Sequence, residues 1–148
     1  MKLNNAKKQN KEILDLVPKV DSLETKCNLS EINETVDKII KTVEDSPNKA
    51  KKLDNFFDYY LPVLIKIVKR YDEVENQKLV SKEGKGFMKK ADNMINETAK
   101  AFKTILASLY KNDIMDADAD MKVYDLMLKA DGIVDNNPIM KGSDDDEK

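Results

Sequence analysis

The sequence predicts an all-α protein: an antiparallel helical bundle of about five helices, with a long third helix kinked at Pro62. Three observations predict it. Apolar residues recur at alternating steps of three and four in five successive segments, the period that lines up side chains on one face of a helix. No segment alternates strictly between apolar and polar residues, as a half-buried strand would. Charged residues make up 36% of the 148 positions, both signs interspersed, with only 4 Gly and 4 Pro, which suits helices with solvated faces. A chain of this length buries roughly 68–70% of its unfolded surface. One core is expected, over residues 1–133.

The first stripe runs Ile13, Leu16, Val20, Leu23, Cys27, with Pro18 dividing a frayed N-terminal turn from the helix proper. The second runs Leu29, Ile32, Val36, Ile39, Val43, with Ser30 placed to cap its free N–H groups. The third is longest: Ala50, Leu53, Phe57, Tyr60, Leu64, Ile67, Tyr71, Val74. Ser46-Pro47 reads as its start, because proline's missing N–H costs nothing at the first helical position. Pro62 falls inside this stripe, where a proline costs about 3 kcal/mol. The stripe keeps phase through it, so a kink is expected. Gly84 and Gly86 break the pattern before the fourth stripe, Met88, Ala91, Ile95, Thr98, Phe102, Ile105, Leu109. The fifth runs Ile114, Ala117, Met121, Tyr124, Leu128, opened by the acids between Asp116 and Asp120, which complement a helix N-terminus. Gly132 can close it in a left-handed conformation with Ile133 folding back. Residues 134–148, VDNNPIMKGSDDDEK, show no periodicity and are expected to form a disordered acidic tail.

Composition narrows the function. A net charge of -2 gives no footprint for nucleic acid. One cysteine, Cys27, makes no internal disulfide and suits a reducing compartment. No run of about 18 apolar residues exists, and MKLNNAKKQNK lacks the apolar region of a signal peptide. A cytoplasmic location is expected. Any membrane association would be peripheral, at the inner face, through Lys2, Lys7, Lys8 and Lys11.

The chain has no histidine, which removes the commonest general acid/base and metal ligand and every Ser-His-Asp or Cys-His arrangement. Cys27 lacks the Arg six positions on that cysteine phosphatases use; position 33 is Asn33. It reads as a small apolar residue on an inner face. Asp116, Asp118 and Asp120 have the spacing that opens a calcium loop. The Gly and the acid such a loop needs at positions six and twelve are replaced by Met121 and Met127. Asp116 or Asp118 reads better as a helix cap, and with Asp113 and Asp120 they are weak metal candidates. Gly84-Lys85-Gly86 lacks the remainder of a phosphate-binding loop and reads as a turn. Met115, Met121 and Met127 read as core. No catalytic residue and no cofactor are expected. The aromatic block exceeds what a plain bundle needs. Phe57 and Tyr60 lie on the inner stripe, and Phe56 and Tyr59 flank it. The flanking pair packs against neighbouring helices, or forms with Arg70 and Tyr71 an interaction surface of the aromatic-plus-arginine kind that dominates binding hot spots.

Two stretches, FFDYYLP (Phe56 to Pro62) and DMKVYDLMLKADGI (Asp120 to Ile133), carry a family resemblance. The chain resembles the bacterial family called 5-bromo-4-chloroindolyl phosphate hydrolysis proteins, the XpaC-like family, well over Lys51 to Ile133 and loosely before that. The resemblance implies hydrolysis of a chromogenic phosphate ester, with no catalytic residues to carry across. It also implies association with toxic-anion (tellurite) resistance proteins. Many members carry hydrophobic membrane segments ahead of this domain. A soluble relative and a lost upstream segment both stay open. The expected function is a non-enzymatic interaction module for a helical protein partner in anion or envelope stress, with a homo-oligomer as a further way to cover its stripes. The alternative is a phosphatase holding a divalent metal on Asp113, Asp116, Asp118 and Asp120.

Overall fold

The computed structural model describes residues 2–135, and every regular element among them is helical. Helix α1 (Lys2–Leu16) leads through a 3-10 turn (Val17–Lys19) to α2 (Leu23–Asp45). A second 3-10 turn (Pro47–Lys52) and a π turn (Phe56–Tyr60) precede α3 (Leu61–Gln77). Helices α4 (Lys82–Leu109) and α5 (Lys111–Ala130) follow. Contacts divide the chain into two compact units, one ending at Leu109 and one beginning at Tyr110. The expected tail lies almost wholly outside the described residues. No helix among the described residues is long and apolar enough to cross a membrane.

In the first unit, α1 packs on α2 and α3, and α4 packs on the same two helices. Ile13, Leu29, Ile32, Ile39, Leu61, Val68 and Ile95 are fully buried between them. Each such side chain contributes about 1.5–3 kcal/mol when removed from water.

The N-terminal segment is a full helix rather than a frayed turn. Its inner face is Ala6, Asn10, Ile13 and Leu16, so a buried asparagine stands where the pattern asks for an apolar residue. Asn10 and Asn33 clasp α1 to α2. The Asn10 amide donates to the Asn33 carbonyl at 3.0 Å, and that of Asn33 donates to the Asn10 carbonyl at 2.9 Å. Asn10 also donates to Asp37 at 2.7 Å. Leu23 and Cys27 are exposed, because α2 turns Thr25 and Leu29 inward instead. Ser22, not Ser30, caps α2, its Oγ accepting the Thr25 N–H at 3.3 Å. Pro47 does sit at the first position after Ser46, but it opens a 3-10 turn, and the Ser46 side chain makes no capping bond.

Gly84 and Gly86 lie inside the first turns of α4 rather than before it. The break comes from Lys78, left-handed at φ 51°, and from Ser81, whose Oγ accepts the Gly84 N–H at 3.0 Å. Gly84 is there for space. A Cβ at that position would lie 2.8 Å from the Leu79 Cβ.

The π turn explains how the third stripe departs from its expected phase. The Leu61 N–H reaches back five residues to the Phe56 carbonyl. Pro62, which has no N–H to give, thereby falls in the first turn of α3, where its loss costs least. The wider turn takes up one extra residue. The inner face therefore passes from Leu53 and Phe57 to Leu61, Leu64, Ile65, Val68 and Tyr71. Tyr60, expected inside, is left outside with Tyr59.

The second unit is built on α5. Its stripe is exposed rather than buried: Ile114, Met121 and Tyr124 are open to solvent, as are Met115 and Met127. The acidic run does not open the helix. Asp113 is the acid of the first turn, and Asp116, Asp118 and Asp120 follow within the helix, so none of these three is its cap. The end is as expected. Gly132 has φ 71°, Ile133 N–H bonds the Leu128 carbonyl at 3.0 Å, and Gly132 N–H bonds that of Lys129 at 3.1 Å. This is a Schellman motif.

Candidate functional site

The displaced tyrosines mark the lip of an apolar groove between α3 and α4. Val63, Leu64 and Ile67 line it from α3, and Met94, Thr98, Ala101, Phe102 and Ile105 line it from α4. Its volume is about 800 Å³, within the range of ligand-binding clefts. Tyr59 and Tyr60 stack edge-to-face at 5.7 Å and are 59% and 49% exposed. Leu64 and Phe102 form the buried floor. Phe102 is held from below by Phe56 at 5.0 Å, in a T-shaped contact.

The lining is mostly hydrocarbon. Thr98 donates its hydroxyl back to the Met94 carbonyl at 2.7 Å, and Thr104 to that of Lys100 at 3.2 Å. Both threonine hydroxyl protons are thus taken up along the helix itself. Glu97 is the acidic lining residue, 3.8 Å from Lys100. Such a wall suits an apolar or amphipathic occupant.

A second, polar arrangement joins three helices further along α3. Tyr71 from α3 and Thr25 from α2 each donate a hydroxyl to Asp92 Oδ1 of α4 at 2.7 Å. Burial pushes the Tyr71 hydroxyl pKa up, and its bond to Asp92 pushes it further. Glu75 lies nearby and accepts the Asp21 N–H. Burial raises its carboxyl pKa, opposed by the Asp21 N–H and reinforced by Asp21, Asp72 and Asp92. These groups tie the helices together.

The residues expected to form an interaction surface are divided by the fold. Tyr59 is exposed at the groove, and Arg70 is exposed beside Glu73 at 3.3 Å. Phe56 and Tyr71 are only 2% and 1% exposed and belong to the core, the first through the π turn and the second through Asp92. Asp113, Asp116 and Asp120 fall on one side of α5 at 100° per residue, while Asp118 falls opposite. No group of three or more His, Cys, Asp or Glu residues placed to hold a metal occurs among the described residues. Of the N-terminal lysines, Lys2 pairs with Asp54 at 2.9 Å and Asp58 at 3.1 Å, and Lys7 pairs with Glu44. The α4 wall was not anticipated. Its signal is the series Met94, Thr98, Ala101, Ile105 at four-three-four spacing, in which Thr98 and Ile105, expected on the inner stripe, line the groove instead.

No curated protein and no solved structure matches this chain. The pattern of one protein family matches residues 1–124, which takes in the whole first unit and the π turn, groove and polar junction within it. The match starts at the first residue, so it includes α1 and α2, where the sequence resemblance is loose. On that match, the chain belongs to the 5-bromo-4-chloroindolyl phosphate hydrolysis protein family.

Proposed function

We propose that the first unit is a helical interaction module that receives an amphipathic helix in the groove between α3 and α4. The observation that carries this reading is the hydrocarbon wall itself, with Tyr59 and Tyr60 exposed along its edge. Helix-in-groove recognition uses apolar anchors on one stripe of the ligand and a groove of this kind to take them. Exposed tyrosines supply large contact area at small entropic cost. A helical protein of the toxic-anion-resistance type is the first partner to examine.

The test uses anilinonaphthalene sulfonate, a dye that brightens in apolar clefts. Ala101 is exposed on the α4 wall, so Ala101→Arg places a charge in the groove while leaving the core intact. Loss of dye binding with unchanged helicity supports the groove as a binding surface. Undiminished binding refutes it.

The family description favours a second reading, hydrolysis of a phosphate ester. Its candidates are the α5 aspartates. Turnover of 5-bromo-4-chloroindolyl phosphate that disappears in the variant with Asn at 113, 116, 118 and 120 would favour the enzyme. Turnover that persists there would remove those residues from the argument.

A further inference from the structure

We infer that the turn between α3 and α4 docks on an anionic lipid bilayer, with Leu79 and Val80 entering the headgroup layer and the lysines of early α4 facing the lipid phosphates. From Lys78 to Lys90 the chain carries five lysines, Lys78, Lys82, Lys85, Lys89 and Lys90, against one acid, Glu83. All five are exposed. Lys82, Lys85 and Lys89 recur at steps of three and four, so they share one face of α4, away from the buried Ala91 and Ile95. Among the described residues none of the five forms an ion pair, whereas Lys2 and Lys7 of the N-terminal lysines do. The basic surface is therefore this turn rather than the N-terminus.

The turn adds apolar side chains to that charge. Leu79 and Val80 are 49% and 83% exposed. They stand between the left-handed Lys78 and Ser81, which caps α4. Binding to a membrane surface grows with the apolar area it buries and with attraction to anionic lipids, and clusters of about four to eight basic residues recognise anionic headgroups. Nucleic acid would use the lysines and leave Leu79 and Val80 in water, so a bilayer accounts for more of the surface. Gly86 lies four residues from both Lys82 and Lys90, and a Cβ there would meet nothing within 4 Å. Packing does not ask for glycine at this point. Its bare backbone leaves a shallow hollow lined by Lys82, Lys90, Glu83 and Phe87, with space for a headgroup phosphate. Two other acids of this end, Asp21 and Glu75, lie ahead of α2 and within α3, where Glu75 accepts the Asp21 N–H, and the outer face of early α4 stays basic.

The experiment is co-sedimentation of the full-length chain with vesicles of phosphatidylcholine alone and of phosphatidylcholine mixed equally with phosphatidylglycerol. Binding is expected to the anionic vesicles only, and added salt should weaken it, since exposed charges are screened. Each lysine near the surface contributes roughly fivefold. Replacing Lys82, Lys85, Lys89 and Lys90 together by Gln should therefore lower the affinity by at least about tenfold, and Val80→Asp should lower it severalfold. Lys8→Gln with Lys11→Gln should leave it unchanged. All these side chains are exposed, and unchanged helical circular dichroism confirms that each variant folds. In a Cys27→Ser chain, a polarity-sensitive dye on Val80→Cys should shift to the blue on the anionic vesicles, and the same dye on Lys41→Cys should not. Four results overturn the assignment: no binding to anionic vesicles at low salt, binding that survives the four-lysine variant or Val80→Asp, loss of binding in the Lys8 and Lys11 variant, or a dye at position 80 that stays in water. Capture of a duplex oligonucleotide through the four lysines, with the vesicles ignored, would make nucleic acid the partner instead.

Discussion

The junction of Tyr71, Thr25 and Asp92 allows a quantitative prediction. Tyr71→Phe removes one oxygen and keeps the ring that fills the core. The lost bond is one of two, both 2.7 Å, to Asp92 Oδ1. A hydrogen bond to a charged group contributes about 1.5–3 kcal/mol. Asp92 keeps Thr25 and is half-buried, so water can replace the missing donor, and the lower figure applies. Asp92→Ala is worse. It leaves the hydroxyls of Tyr71 and Thr25, two residues each 1% exposed, without their acceptor. An orphaned buried donor costs about 1–3 kcal/mol, so about 3–4 kcal/mol is expected for the pair. Urea unfolding followed by helical circular dichroism reads both. With a slope of about 1.5 kcal/mol per molar urea, Tyr71→Phe moves the midpoint down by about 1 M and Asp92→Ala by about 2 M or more. The double variant should fall short of the sum, because both changes remove the same bond. A Tyr71→Phe midpoint equal to the parent's, or strictly additive losses, would refute the junction as a source of stability.

Three further predictions concern other elements. Glu75→Gln should stabilise the chain at neutral pH. A carboxyl whose pKa rises on folding contributes fully below its unfolded pKa and loses that contribution as pH rises through the folded value. The urea midpoints of parent and variant should therefore coincide in acid and separate above the ordinary carboxylate range; a constant gap contradicts this. Asn10→Ala and Asn33→Ala should each cost about 2–4 kcal/mol, since each breaks two or more buried bonds between α1 and α2. Thermal unfolding of the single and double variants measures the loss and its coupling. Ser22→Ala and Ser81→Ala should each cost about 1 kcal/mol as lost caps, while Ser30→Ala, inside α2, should change the midpoint little.

The helical class was legible because it rests on local periodicity, and the stripe of α2 runs where that periodicity places it; in α4, Ala91, Ile95, Phe102 and Leu109 are buried as expected, whereas Thr98 and Ile105 line the groove and Ala99 takes the inner position. The Schellman end at Gly132 was legible for the same reason: a single residue's backbone freedom decides it. The boundaries were less so. Serine is a cap only where the chain turns out of the helix, and Ser22 and Ser81 were passed over for Ser30 and for the glycines. The α1 helix was hidden by Asn10, because its partner, Asn33, is 23 residues away and no local pattern connects them.

By itself the sequence determined that the chain is all helix and that Pro62 must disturb the third stripe. Only the tertiary structure decided how. The disturbance is a π turn, and its extra residue gives the inner face to Leu61 and leaves Tyr60 beside Tyr59 at the groove. That choice depends on what Phe56 and Phe57 can pack against, above all Phe102 on a helix distant in sequence. A helix stripe reports which residues can share a face, whereas the partners packed on that face decide which of them are buried.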